Sequence, residues 1–370
     1  MGYNPSMPVR ARAHVYSMQP YHPGKTPEQL MEALGLSELI KLSANENPLG
    51  ASPRAKEAIL NALDTIHRYP DGACSVLRDA LSAFYELPPD HFAFGNGSDE
   101  LIHLFGIAYL EPGDALMMGH PSFVRYIASA QLNQATLVAV PLTPDFRFDL
   151  QAMADAITER TKLIYLANPN NPTGTMVSRA ALDWFLERVP DYALVILDEA
   201  YYEYADHPDY PNGLDDVRAG RNVVVFRTFS KAYGLAGLRI GYAVGRPELL
   251  DPVERVREPF NINTLAQVAA ATALSDQEHV LRTRTLNREG LNMFREACQR
   301  LNLRYVPSQA NFLLIEVGEH CERVQQRLLE RGILVRTGAA FGMPTYLRVN
   351  TGTPEQNARF VEALEDALRE

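Results

Sequence analysis

Cysteine is nearly absent: the 370 residues hold three, Cys74, Cys298 and Cys321, far apart and without C-x-x-C spacing. That argues against a zinc site and a disulfide framework, and the odd count fits a reducing compartment. No stretch of about 18 apolar residues occurs, so no membrane-spanning helix is expected. The opening residues MGYNPSMPVRARAHVY lack the apolar run of a secretory signal, and Ser6 and Met7 are out of register for a myristoylation motif. The expectation is a cytoplasmic protein. Basic clusters are missing too. Lys and Arg number 35 against 45 Asp and Glu, a formal charge of -10, which argues against nucleic acid or an anionic membrane as partner. The nine histidines show neither H-x-x-x-H nor H-E-x-x-H spacing, so no metal site is predicted.

What is present is a regular alternation. FAFG (92–95), ALMMG (115–119), TLVAV (136–140), LIYLA (163–167), ALVIL (193–197), VVVF (223–226) and IGYAV (240–244) read as strands. Segments of helical length and period lie between most of them, such as Asp99–Tyr109, Phe123–Leu132 and Arg179–Arg188. Near-continuous apolar strands separated by helices predict an α/β domain with a mostly parallel seven-stranded sheet covered on both faces. After Asn263 a long helical region runs to about Asn302, followed by strands at Phe312–Val317 and Tyr346–Val349, the pattern of a smaller α+β domain. The expected division is an N-terminal arm and helix over 1–42 that joins the small domain, a large domain over 43–270, and the small C-terminal domain over 271–370.

The segment RTFSKAYGLAGLRIG (227–241) carries the most chemistry. A lone lysine is usually a solvated surface residue. Lys231 instead stands among Thr228, Ser230, several glycines and Arg239, which together can hold a phosphate dianion while the amine attacks an aldehyde. Upstream, Asp198 ends a buried apolar strand. Such an aspartate is often only a helix cap, but it also suits a carboxylate paired with a protonated pyridine nitrogen. Tyr201 and Asn171, the latter in N-N-P-T-G, are placed to meet a phenolic oxygen on the same ring. Asn-Pro-Thr-Gly alone signals only a turn.

The order N-P-T-G, D-x-x-Y, S-K and an arginine eight residues after Lys231 resembles the fold-type I pyridoxal-5′-phosphate (PLP) enzymes, the aspartate aminotransferase superfamily. The resemblance covers essentially the whole chain. Within the superfamily it is nearest to the class II, histidinol-phosphate aminotransferase family, through KLSANENPLG (41–50), RYPDG (68–72), FGNGSDELI (94–102), FNINTLAQ (260–267), PSQANF (307–312) and YLRVNTG (346–352). It implies transamination between a small-molecule amine and a 2-oxo acid, with Lys231 bonded to PLP and moving the substrate proton.

Further roles follow from the resemblance alone. Gly97, Ser98 and Asp99 open a helix whose N-terminus suits the cofactor phosphate; read as a dinucleotide fingerprint, G-N-G-S-D-E lacks the third glycine. Phe123 matches the aromatic residue that stacks on the pyridine ring, where the family often has tyrosine, and its bland alternative is a core phenylalanine. Arg348 matches the arginine that grips a substrate carboxylate, and Arg336 is a second candidate for a substrate phosphate, or else a solvent-facing strand end. Asn47 and Tyr21 match positions lining the substrate pocket. Tyr69 matches a tyrosine that reaches the PLP phosphate of a neighbouring subunit, so a homodimer is implied. Three other readings stay open: a sister aminotransferase for aromatic or other amino acids, a PLP-dependent threonine-phosphate decarboxylase of the same fold, and an amine-sensing PLP-binding regulator.

Overall fold

The computed structural model describes residues 10–20 and 23–369. Its centre is a seven-stranded sheet of β1 (Phe92–Gly95), β2 (Ala115–His120), β3 (Thr136–Pro141), β4 (Thr161–Ala167), β5 (Leu194–Asp198), β6 (Val223–Thr228) and β7 (Gly241–Val244). The order across the sheet is β1-β7-β6-β5-β4-β2-β3. Every pairing is parallel except those of β7, which runs antiparallel to both β1 and β6. Strands β1, β5, β6 and β7 are buried at every position, the burial expected where helices cover both faces. The sequence pattern located all seven strands to within two residues at either end.

Helix boundaries differ more. α1 (Gly97–Tyr109) begins two residues earlier than its periodicity suggests, because Gly97 takes a left-handed φ of 72° that turns the chain off β1. α2 (Arg125–Leu132) begins two residues late, leaving Phe123 in the preceding turn. The helical region after Asn263 is two helices, α3 (Thr264–Ser275) and α4 (Gln277–Arg300). Asp276 separates them at φ -96°, ψ 63°, and its side chain caps α4 by accepting from the amide of His279.

A second, smaller sheet is antiparallel, in the order Arg336–Thr337, Tyr346–Asn350, Phe312–Glu316, Tyr305–Val306. The segment Ile40–Lys41 pairs in parallel with Ile333–Leu334. Accordingly Ile40 and Leu42 belong to the same apolar cluster as Phe294, Leu313, Leu347 and Phe360. The large sheet and its helices form a separate cluster reaching from Ala55 to Val280.

One buried ion pair clamps the sheet behind its C-terminal edge. Glu199, just past β5, and Arg227 of β6 are each 1% exposed. Arg227 donates from Nε (2.9 Å) and Nη2 (2.7 Å) to Oε2 of Glu199, from Nη2 to Asn212 (2.9 Å) and from Nη1 to the Tyr85 hydroxyl (3.1 Å). The amide of Gly213 supplies Oε1 of Glu199 (2.8 Å). Removing one partner of such a pair leaves an uncompensated buried charge. Arg227→Met is therefore expected to destabilise the fold by about 3–5 kcal/mol in chemical denaturation, whereas a loss below about 1 kcal/mol would show that the pair is dispensable.

Candidate active site

Parallel strands that end at one edge deliver their loops to one crevice. Here that crevice is a cavity of about 250 Å³ reached by the ends of β1, β2, β4, β5 and β6 and by Arg336 and Arg348 of the small sheet. Of the sequence candidates, Gly97, Ser98, Asp99, Phe123, Asn171, Asp198, Tyr201, Thr228, Ser230, Lys231, Arg239, Arg336 and Arg348 all line it.

Asp198 closes the floor and is 4% exposed. Its Oδ2 accepts from the Tyr126 hydroxyl at 2.6 Å and its Oδ1 from the amide of Ala200 at 3.2 Å. Burial outweighs both bonds and pushes the carboxyl up to about 6. Tyr126 also meets Phe123 edge-to-face, with ring centroids 5.7 Å apart. Lys231 is partly buried, its Nζ 3.3 Å from the carbonyl of Ala44. Burial, then the nearby Arg348, lowers its amine to about 8, so about a tenth of it is neutral at pH 7, far more than for an ordinary lysine.

A chain of side chains crosses the roof. The Tyr201 hydroxyl accepts from Asn45 (2.8 Å) and Asn171 (3.4 Å), and Oδ1 of Asn171 accepts from Nη1 of Arg348 (2.6 Å). Arg348 is 5% exposed, donates from Nη2 to the Ser43 carbonyl (2.9 Å), and keeps a buried Nε with no partner. Burial depresses its guanidinium to about 10. Arg336 stands directly opposite Arg348 in the antiparallel register. Both guanidiniums lie over the Phe341 ring, at 5.7 and 5.5 Å from its centroid.

At the other end, α1 points its N-terminus at the cavity beside Ser98, Thr228, Ser230 and Arg239. The backbones are tight there. A Cβ on Gly241 would stand 2.8 Å from the amide of Ser98, and one on Gly97 would stand 2.6 Å from Nη2 of Arg239. Arg239 bonds to Asp99 only loosely, at 3.4 Å. Hydroxyls, a guanidinium and free helix amides suit a dianionic phosphate; the buried carboxylate suits a ring N–H; the depressed lysine between them suits an aldehyde carbon. This donor set fits PLP.

Asn47 and Tyr69 are not among the residues lining this cavity, and for Tyr69 the expected place is a neighbouring subunit's site. The Asn47 amide donates to the Ala232 carbonyl (2.9 Å) and Thr283 (3.0 Å) and accepts from the amide of Leu49 (3.0 Å), which fixes the chain between the two sheets. Asn45, two residues earlier, holds the place at the Tyr201 hydroxyl. Tyr69 is 84% exposed and stacks on Phe260, ring centroids 5.0 Å apart, away from the cavity lining. Tyr21 lies outside the described residues. The residues that the motifs did not reveal are Tyr126, Asn45 and Phe341. Tyr126 had one signal, its i,i+3 spacing from Phe123 at a helix start.

The profile of the family described as aminotransferase class I and II matches residues 37–364. The chain belongs to that family. It is 48% identical over 360 residues to the histidinol-phosphate aminotransferase of Moorella thermoacetica, covering 97% of this chain and 93% of that one. Identity is 50% over 359 residues to the enzyme of that name from Symbiobacterium thermophilum, covering 97% and 99%. Among solved structures, the aminotransferase superposes on histidinol-phosphate aminotransferase from Sinorhizobium meliloti in complex with pyridoxal-5′-phosphate with TM-score 0.90, 28% identity and 98% and 99% coverage. A Thermus thermophilus aspartate aminotransferase double mutant gives TM-score 0.83 at 26% identity, with 98% and 100% coverage.

The raised carboxyl of Asp198 has a sign that can be tested on the aminotransferase without cofactor. A folded-state value near 6 against an ordinary 3.8 means that folding is opposed once the group must ionise. Asp198 therefore contributes no penalty below about pH 4 and costs about 3 kcal/mol above about pH 6. Asp198→Asn is expected to raise the Tm of the cofactor-free protein at pH 7.5 and to leave it unchanged at pH 4. Equal effects at both pH values would show that burial does not raise the group.

Proposed function

We propose that this aminotransferase carries PLP and moves the amino group of L-histidinol phosphate to 2-oxoglutarate, giving imidazole-acetol phosphate and glutamate in histidine biosynthesis in the cytoplasm. The observation that carries the reading is the Arg336–Arg348 pair. Like charges directly opposite on neighbouring strands repel, and among the described residues no carboxylate stands within ion-pair distance of either. Such a pair suits an anion that arrives with the substrate: the phosphate of one, the carboxylates of the other. The names of the relatives above point the same way.

In this reading Thr228, Ser230, Arg239 and the amides of Gly97, Ser98 and Asp99 hold the cofactor phosphate, and Phe123 covers the ring. Asp198, oriented by Tyr126, keeps a proton on the ring nitrogen, and Tyr201 and Asn171 hold the ring oxygen. When bound, PLP supplies an electron sink for the carbon that loses its proton. Lys231 is the base: its amine, neutral in part at physiological pH, takes the proton from the substrate carbon and returns one to the cofactor side. Arg348 and Arg336 fix the far end of the substrate, so that this carbon faces Nζ of Lys231. Residues 43–270 serve as the cofactor-binding unit, and the small sheet brings the anion-binding arginines to it.

The deciding experiment is single-turnover absorbance of the PLP-loaded protein. Addition of histidinol phosphate should convert the cofactor to its amine form, and 2-oxoglutarate should reverse it. Conversion with L-phenylalanine alone would overturn the substrate assignment. Arg336→Gln should raise the KM for histidinol phosphate about tenfold, as for loss of one charge-assisted contact. A homodimer is part of this proposal, because Leu60, Ile66, Val76 and Tyr69 expose 60–84% of their surface on neighbouring segments. Sedimentation equilibrium should give twice 41.3 kDa, and a monomer would remove the dimer from the reading.

A further inference from the structure

A second cavity, of about 600 Å³, lies behind the clamp of Glu199 and Arg227 and shares no lining residue with the active site. Its depth holds an anomaly. Every other fully buried carboxylate of the large sheet is satisfied: Asp198 by Tyr126 and Ala200, Glu199 by Arg227 and Gly213, Asp216 by Arg179 and Arg221. Glu203 is not. It is 9% exposed, lines this cavity, and neither of its carboxylate oxygens has a hydrogen-bond partner. Burial, the largest influence, raises the group to about 7. Arg227 attracts the charged form but does not outweigh burial, and it donates no hydrogen bond to Glu203, four of its five N–H bonds going to Glu199, Asn212 and Tyr85.

A buried carboxylate without donors is costly unless something brings donors to it. The walls narrow the choice. Tyr85, Tyr210 and Tyr233 offer apolar ring surface, and Phe84, 44% exposed, stands at the rim. On α4 the exposed guanidinium of Arg284 lines the same cavity and is close enough to Glu203 to favour its charged form. An acceptor inside, a cation at the mouth and aromatic sides between them match one chemical class.

We propose that this cavity is a binding site for a free α-amino acid with an aromatic side chain, its ammonium group held by Glu203 and its carboxylate by Arg284. The ammonium supplies the N–H donors that the protein withholds from Glu203. The ring lies against the tyrosines. The site is separate from the chemistry of Lys231, although Glu203 follows Tyr201 by only two residues and occupancy borders the Glu199–Arg227 clamp.

The test uses the PLP-loaded protein and N-methyl-L-phenylalanine, a secondary amine that keeps N–H donors and a carboxylate but does not take part in transamination. Calorimetry should find one saturable site per chain. Glu203→Gln and Arg284→Ala should each weaken it at least tenfold, with turnover of the amine substrate retained and the Tm not lowered; Arg348→Ala should leave it unchanged. Binding that is lost in Arg348→Ala and kept in Glu203→Gln would place the probe in the active site and overturn the proposal. Absence of saturable binding, with Glu203→Gln only raising the Tm, would overturn it too and leave Glu203 as a hydrated buried acid.

Discussion

Two adjacent carboxylates, Asp198 and Glu199, are taken out of water at the end of one strand, and the rest of the site depends on how differently they are treated. Glu199 receives a guanidinium and an amide, so its charge is matched and it fixes β5 against β6. Asp198 receives only a hydroxyl and one amide, and stays poised near 6. The first makes the sheet edge rigid; the second leaves a carboxylate whose ionisation a positively charged partner would favour. Because successive strand residues point to opposite faces, neighbours in sequence can serve structure on one side and chemistry on the other.

The same separation holds across the cavity. One end, built by the N-terminus of α1 with Thr228, Ser230 and Arg239, collects donors around backbone that tolerates no Cβ at Gly97 or Gly241. The other end is carried by the small sheet, where Arg348 and Arg336 face each other. Asn171 links Arg348 to Tyr201, accepting from the first and donating to the hydroxyl of the second. Lys231 lies between the two ends, and its amine is lowered first by burial and next by Arg348.

Much of this was legible in the chain. Apolar runs of strand length located the seven strands, because a strand covered on both faces is mostly apolar. The cavity residues Asp198, Lys231 and Asn171 stood out through local spacing, since each lies on or within four residues of a strand's C-terminal end. The partners of those residues were not legible. Tyr126 reads as an ordinary core aromatic until the turn after β2 brings its hydroxyl to Asp198. The sequence points to Asn47, but it is Asn45, left-handed at φ 57°, whose side chain meets Tyr201 in the cavity.

Composition and motif order alone determined an α/β chain with a lysine, a carboxylate, hydroxyls and an arginine in sequence, because those patterns depend on a few neighbouring residues. Only the tertiary structure decided that Arg336 and Arg348 oppose each other, that Tyr126 supports Asp198, and that Glu203 is buried without a partner. These facts depend on segments far apart in the chain, Tyr126 meeting Asp198 72 positions on, or rest on burial by several elements at once. No local pattern records such a meeting, because packing of distant segments alone sets which groups lose water and which groups replace it.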